Sequence, residues 1–219
     1  MIDHVLDRYQ GEVDATVIVV NPASRLMVAE HLRQRTPAVV LAEQAAPTGM
    51  LDAILAASGD ALKIHPDRIW ITWCDQVGIS AATVAALKAL ENTSPDLEVI
   101  VPVVTQPSPY VHFDRDPGGR LVAVRQRREG DIMPAIGTSD AGLFSLSRVA
   151  FNRWLPEFAR AATPGTLTGE RNFLPFLPWL AVGSAVGTFE IPAEEAEGIN
   201  TPEQLATAER RLHPESWSS

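Results

Sequence analysis

From Ala15 to Val104 the sequence alternates short β-branched runs with stretches of helical periodicity, and no other feature restricts the fold as much. Ala15–Val20 predicts a buried strand that stops at Asn21-Pro22; Arg25–Arg33 predicts a helix and Ala38–Leu41 a short strand. A helix is expected over Met50–Ala57, then a strand over Arg68–Thr72, a helix over Ala81–Leu90 and a strand over Leu97–Val104. Ahead of them Ile2, Val5, Leu6 and Tyr9 share one helical face. Strands separated by helices need crossover connections, which cover both faces of a mostly parallel sheet. The fold class is therefore α/β, and 219 residues are most simply one domain.

The second half departs from that rhythm. Tyr110–Phe113 and Leu121–Gln126 alternate around Asp116-Pro117-Gly118-Gly119, which predicts a small β-hairpin insertion. A strand is expected over Ala141–Leu146, and a helix over Arg148–Ala162 that Pro156 kinks or divides. Prolines 175 and 178 keep any helix over Phe173–Ala181 short, and Val186–Ile191 reads as a last strand. Glu197-Gly198-Ile199-Asn200 then runs into a well-specified helix start. Thr201 and Gln204 have capping-box spacing, Pro202 takes the first helical position, and Leu205, Ala208 and Leu212 follow at helical spacing. Asn200 would stand at the mouth of that helix, a place suited to phosphate and its metal, although an ordinary capped helix explains the run equally.

A net charge of −9 argues against a general nucleic-acid binder. One cysteine, Cys74, leaves no internal disulfide and suits a reducing cytosol. No apolar stretch reaches the roughly 18 residues of a membrane span, and the N-terminus lacks the pattern of a signal peptide. These features predict a soluble, cytoplasmic protein with no membrane partner. The scattered histidines have no zinc-ligand spacing, and neither a Walker loop nor a Gly-x-Ser-x-Gly elbow occurs.

Several residues could carry chemistry. Asp75 follows the strand Arg68–Thr72, and ligands of open α/β sheets bind outside the carboxyl ends of strands. With the Asn200 oxygen it would offer the one or two protein ligands that Mg²⁺ requires; alone, it serves as well as a turn or N-cap residue. Gln44, Thr48 and Gly49 precede a helix, where the glutamine amide suits a base edge and Gly49 permits close backbone approach; a Pro-Thr-Gly turn is the plainer alternative. Arg125 and Arg127 share one face of their strand, beside Arg128, as a phosphate grip or as charges on a solvated edge. Asp140, close to Gly142, could accept sugar hydroxyls or cap a turn. Asp114-Arg115-Asp116 resembles the Asp-x-Asp of glycosyltransferases but enters Pro-Gly-Gly, where aspartates serve turns.

Taken in order, these segments resemble the sugar-phosphate nucleotidyltransferases, in particular the uridylyltransferase domain that activates N-acetylglucosamine-1-phosphate and the wider MobA-like transferases. Gln44 with Gly49 is similar to the family's base-reading segment, and Trp73-Cys74-Asp75-Gln76 to its metal-binding Gly-Asp segment. Ser139–Leu143 is similar to its Asn-Thr-Gly sugar-binding segment, and Glu197–Asn200 to its C-terminal metal-binding segment. The resemblance implies a Rossmann-like nucleotide-diphospho-sugar transferase fold. Residues 1–105 would bind nucleotide; residues 106–219 would hold the sugar phosphate and the C-terminal helix. It further implies Mg²⁺ on Asp75 and Asn200, nucleotide contacts from Gln44, Thr48 and Gly49, and substrate contacts from Asp140 and Gly142; Arg125, Arg127 and Glu170 are further candidate substrate contacts. A nucleoside triphosphate and a sugar phosphate would be the reaction partners, and a homo-oligomer is compatible with the resemblance.

Three departures leave the activated group open: Met50 stands where the family often has threonine, Val111 where it has a glycine, and Arg125 where it has a glutamate. A fourth lies at the front. The family opens with a strand and a Gly-rich triphosphate loop, whereas Met1–Leu6 resembles the helix that follows them. An interior strand would then be missing, which leaves backbone groups unpaired and an apolar slot open. The expectation is an enzyme that is active when that phosphate loop is present, with a non-catalytic nucleotide-binding relative and a glycosyltransferase of the same fold as alternatives.

Overall fold

A computed structural model describes residues 1–35, 39–199 and 201–212, apart from the side chains of residues 209, 211 and 212. Helix α1 (Ile2–Tyr9) leads into β1 (Thr16–Val20), α2 (Arg25–Leu32), β2 (Val39–Glu43), α3 (Met50–Lys63), β3 (Arg68–Thr72), α4 (Ala81–Thr93) and β4 (Leu97–Pro107). The expected alternation is present. Helix α3 outruns its predicted end because its Ala61 and Leu62 pack on the same core as the buried Leu51 and Ile54, so Ser58-Gly59 does not break it.

The second half begins with the hairpin β5 (Val111–Arg115) and β6 (Leu121–Gln126), in which Asp116 Oδ1 accepts the Gly118 and Arg120 N–H groups. Strands β7 (Ile136–Asp140) and β8 (Leu143–Ser147) follow. A π-helical turn over Ala150–Trp154 precedes α5 (Leu155–Ala161), with Pro156 in its first turn, so the predicted helix is indeed two pieces. Helix α6 (Phe176–Ala181), β9 (Ala185–Glu190), a 3₁₀ turn (Ala193–Ala196) and α7 (Pro202–Leu212) complete the order.

The sheet is mixed, which corrects the expectation of a mostly parallel one. Strand β8 lies antiparallel between β3 and β4, β7 is antiparallel to β4, and among the described strands only β4–β9 and β1–β2 are parallel. The cause is the return path of the chain. Strands β7 and β8 run back along β4 as one interrupted strand, and their ladder slips at Ala141-Gly142, where Gly142 has φ +72° and Ala141 N–H bonds Pro102 O at 3.1 Å. The β-bulge so formed puts the Asp140 segment at a bend, a feature common beside active sites.

On one face, Phe144, Phe173 and Phe176 are fully buried with Leu51, Leu155 and Leu177. Each such phenyl contributes about 2–3 kcal/mol. On the other, Ile79, Val84 and Leu87 pack with Ile100 and Leu143 against Tyr9 of α1. The β1–β2 pair forms a separate sheet, and among the described strands none bonds the second edge of β1 or of β3. Helix α3 packs on β1 and β2, and its Leu51 and Ile54 join the core against which Ile69 and Ile71 of β3 pack. Among the described residues, the buried side-chain atoms without a hydrogen-bond partner are Arg8 Nε, Tyr9 OH, Thr72 Oγ1 and Gln76 Oε1. They belong to the end of α1 and to β3 with the loop after it.

Candidate active site

Two loops at the carboxyl end of β3 and at the β7–β8 bulge meet face to face. Trp73 N–H donates to Gly142 O at 3.2 Å, and a Cβ on Gly142 would stand 2.4 Å from Gln76 Cγ and 2.8 Å from Trp73 Cδ1. Gly142 is required by this close approach and by its positive φ. Asp75 is thereby set beside the Asp140 loop. The Asp75 carboxylate has no hydrogen bond or ion pair among the described residues, whereas its carbonyl accepts Ile199 N–H at 3.0 Å. The C-terminal segment is thus tied to the Asp75 loop. Val77 packs on Ile199 and Ala208, and the predicted capping box is formed: Thr201 N–H bonds Gln204 Oε1 at 3.0 Å and Gln204 N–H bonds Thr201 Oγ1 at 3.2 Å. Asn200 and the Leu212 side chain lie outside the described residues.

Asp140 keeps some contact with solvent but is packed round by protein, and that burial pushes its carboxyl up to about 6. Its Oδ1 accepts Gly142 N–H at 2.9 Å, the turn-capping role, and the bond offsets part of the shift. A carboxyl raised in this way gains from any ligand that brings a hydrogen-bond donor or a positive charge.

The Gln44 segment forms the second part. Gln44 Nε2 donates to Gly49 O at 2.9 Å, with Thr48 Oγ1 at 3.5 Å. Gly49 has φ +116°, and a Cβ there would lie 2.5 Å from Arg171 O and 2.6 Å from Arg171 N. The backbone that Gly49 admits here is that of Arg171. Arg171 N–H bonds Thr48 O at 2.8 Å, Leu51 N–H bonds Arg171 O at 3.0 Å, and the Arg171 guanidinium reaches Asp52 and Ala159 O. Trp73 and Phe173 join the two halves, with rings 6.3 Å apart.

Of the predicted substrate residues, Glu170 bonds Arg128 at 2.9 Å, and Arg128 also donates to Asn172. Arg125 is paired with Asp114 (2.6 Å) and Ile132 O; Arg127 lies beyond β6 in a 3₁₀ turn and donates to Ser108 and Pro109. They do not share a strand face, because the chain turns after Gln126. Arg128 reaches the Glu170 loop instead, and its neighbour Glu129 accepts from Thr168 Oγ1 (2.5 Å), Asn172 Nδ2 and Leu167 N–H. The Thr168 hydroxyl above all, with those N–H groups, holds the Glu129 carboxyl down at about 2. The sequence gives no local sign of this clamp beyond Gly165, whose Cβ would strike Glu129. Asp114 and Asp116 are engaged within the hairpin by His112, Arg125, Arg120 and backbone N–H groups, which removes the support for an Asp-x-Asp metal site.

Among the described residues no cluster of three or more His, Cys, Asp or Glu side chains could hold a metal. Mg²⁺ does not require one, since it takes one or two protein carboxylates and fills its octahedron from phosphates and water. An unbonded Asp75 carboxylate at a strand end fits that demand.

The fold is that of the nucleotide-diphospho-sugar transferases. The structure superposes with TM-score 0.67 on CMP:2-keto-3-deoxy-manno-octonic acid synthetase complexed with CTP, covering 98% of this chain and 88% of that one at 15% identity. It also superposes with TM-score 0.66 on 4-diphosphocytidyl-2C-methyl-D-erythritol synthase from Anaerococcus prevotii, covering 97% and 88% at 10% identity. The model of the MobA-like NTP transferase domain matches residues 1–138, and the chain belongs to that family. It is 28% identical over 212 residues to the bifunctional protein GlmU of Bradyrhizobium diazoefficiens and 27% identical over 215 residues to that of Stenotrophomonas maltophilia. The matches cover 95% and 96% of this chain but 46% and 45% of those relatives, so the chain spans less than half their length.

Proposed function

We propose that the chain is a nucleotidyltransferase that moves an NMP group from a nucleoside triphosphate to a sugar-1-phosphate or similar phosphate, with release of pyrophosphate. One observation carries the reading: the Asp75 carboxylate, unbonded among the described residues, lies where the bonds Trp73–Gly142 and Ile199–Asp75 bring three loops together. The acceptor phosphate is already a nucleophile and needs no general base. Asp75, with Asn200, would hold Mg²⁺, which supplies charge neutralisation on the phosphates when bound. Gln44 would face the base with its carbonyl oxygen, while Thr48 and Gly49 keep the segment in place through Arg171. Asp140 would accept from the second substrate, and Glu170, fixed by Arg128, would border it. Catalysis would come from positioning and preorganised electrostatics. The enzyme would work in the cytoplasm; among the described residues no helix is long and apolar enough to cross a membrane.

The reading includes a phosphate-gripping segment entering as a strand between β1 and β3. Their edges, which no described strand bonds, and Gln76 Oε1, buried without a partner among the described residues, support it. The test is a Mg²⁺-dependent pyrophosphate-release screen over four nucleoside triphosphates and a panel of sugar phosphates, with the chain as it stands and extended by upstream coding sequence. Release with one nucleotide–acceptor pair is expected. Nucleotide binding without release in either form would favour the non-catalytic relative.

A further inference from the structure

The run Ala193-Glu194-Glu195-Ala196-Glu197 has the composition of a solvated surface segment, and Glu194 and Glu197 are exposed. Glu195 is not; it is only 8% exposed. Its Oε2 accepts Ser80 N–H at 2.8 Å and Thr83 Oγ1–H at 2.7 Å. Taking a carboxylate out of water costs several kcal/mol. Here the cost is offset by charge-assisted hydrogen bonds and by the N-terminus of α4, whose own first turn holds no acid.

The placement of this carboxylate has a consequence for Asp75. The loop from Trp73 to Ser80 has no regular structure of its own, so its shape depends on what it touches. Segment 193–199 lies along it and is tied to it at three places. Ile199 N–H bonds Asp75 O, a Cβ on Gly78 would stand 2.7 Å from Glu195 O, and the Glu195 carboxylate closes the far end on Ser80 and Thr83. The close contact at Gly78 leaves no slack between the two segments. A displaced Glu195 would therefore carry the Ile199–Asp75 bond with it.

We infer that Glu195 is a positioning residue of the metal site, holding loop 73–80 in the shape that lets Asp75 take a divalent cation, without touching the cation itself. The inference rests on the reading of Asp75 as the Mg²⁺ ligand. It is tested by binding of Mn²⁺, a paramagnetic stand-in for Mg²⁺, measured by electron paramagnetic resonance in the presence of CTP and then of UTP, GTP and ATP. Melting curves are recorded on the same samples. E195A removes both bonds, and is expected to weaken Mn²⁺ binding roughly tenfold, the usual effect of losing an outer-shell partner. E195Q, whose amide oxygen can still accept from Ser80 and Thr83, and Thr83→Val, which removes one of the two bonds, should weaken it less. Leu87→Ala, a cavity in the same helix, should lower the melting temperature and leave Mn²⁺ affinity alone. Wild-type affinity in E195A, whether or not its melting temperature falls, would reduce Glu195 to a helix cap and overturn the inference. If E195A does not fold, unchanged affinity in Thr83→Val overturns it. Should the unaltered chain bind no Mn²⁺, or Asp75→Asn bind it as tightly as the unaltered chain, the metal-ligand reading itself fails and the inference falls with it.

Discussion

Asp140→Asn should stabilise the ligand-free protein at alkaline pH and not at acid pH. In the folded chain burial raises the Asp140 carboxyl from 3.8 to about 6. A group raised in this way contributes its stability fully below 3.8 and loses it as pH rises through about 6, so above that pH the folded state bears a poorly solvated charge. A shift of about two units is worth at most about 3 kcal/mol, and residual solvent contact reduces this to roughly half. Asparagine keeps an oxygen for the Gly142 N–H and cannot ionise. For a chain of this size about 1.5 kcal/mol corresponds to a melting temperature higher by roughly 3–6 °C. Differential scanning calorimetry at pH 8 and pH 4.5 measures it: the expected gain appears at pH 8, is clearly smaller at pH 4.5 and vanishes only below 3.8. An equal offset at both values, or a loss at pH 8, would refute the argument that burial of the charge sets the shift.

Other perturbations have equally definite outcomes. Glu129→Gln should lower the urea midpoint at pH 7, and the difference should close as pH falls from 4.5 through about 2, where the depressed Glu129 carboxyl takes its proton in the folded state. Gly49→Ala sets a Cβ into the Arg171 backbone at positive φ, and should cost about 3 kcal/mol or more in chemical denaturation. Thr201→Ala removes one half of the capping box and should cost about 1 kcal/mol, seen as faster amide exchange over the start of α7. Asp75→Asn should abolish Mg²⁺-dependent turnover and leave the melting curve nearly unchanged, because no side chain among the described residues depends on that carboxylate.

What could be read from the sequence was local. Arg68–Thr72 is a strand with the expected bounds because a β-branched and aromatic run stands between clear breaks, and Thr201–Gln204 caps its helix because all of its parts lie within four residues. Strand β7 was missed because Ile-Gly-Thr-Ser-Asp is polar and glycine-containing; it is a strand only through its pairing with β4. The insertion of β8 between β3 and β4 follows from the bulge at Gly142, and no periodicity reveals which neighbours a strand will find. In the candidate site, Asp75 and Asp140 were legible from their places beside predicted strands. The meaning of Gly49 was not, since it depends on Arg171 far along the chain, nor was Glu195, whose acidic neighbours disguise a buried carboxylate.

The most direct measurement follows the phosphorus. A nucleoside triphosphate labelled at the α-phosphate is incubated with Mg²⁺ and the acceptor selected by the pyrophosphate screen, using the extended chain and its Asp75→Asn variant. Transfer of the α-label into a new diphosphate, with unlabelled pyrophosphate released and both lost in the variant, is the predicted result. Label that stays in the triphosphate, or that appears at the same rate without the Asp75 carboxylate, would contradict the assignment of this chain as a nucleotidyltransferase built around Asp75.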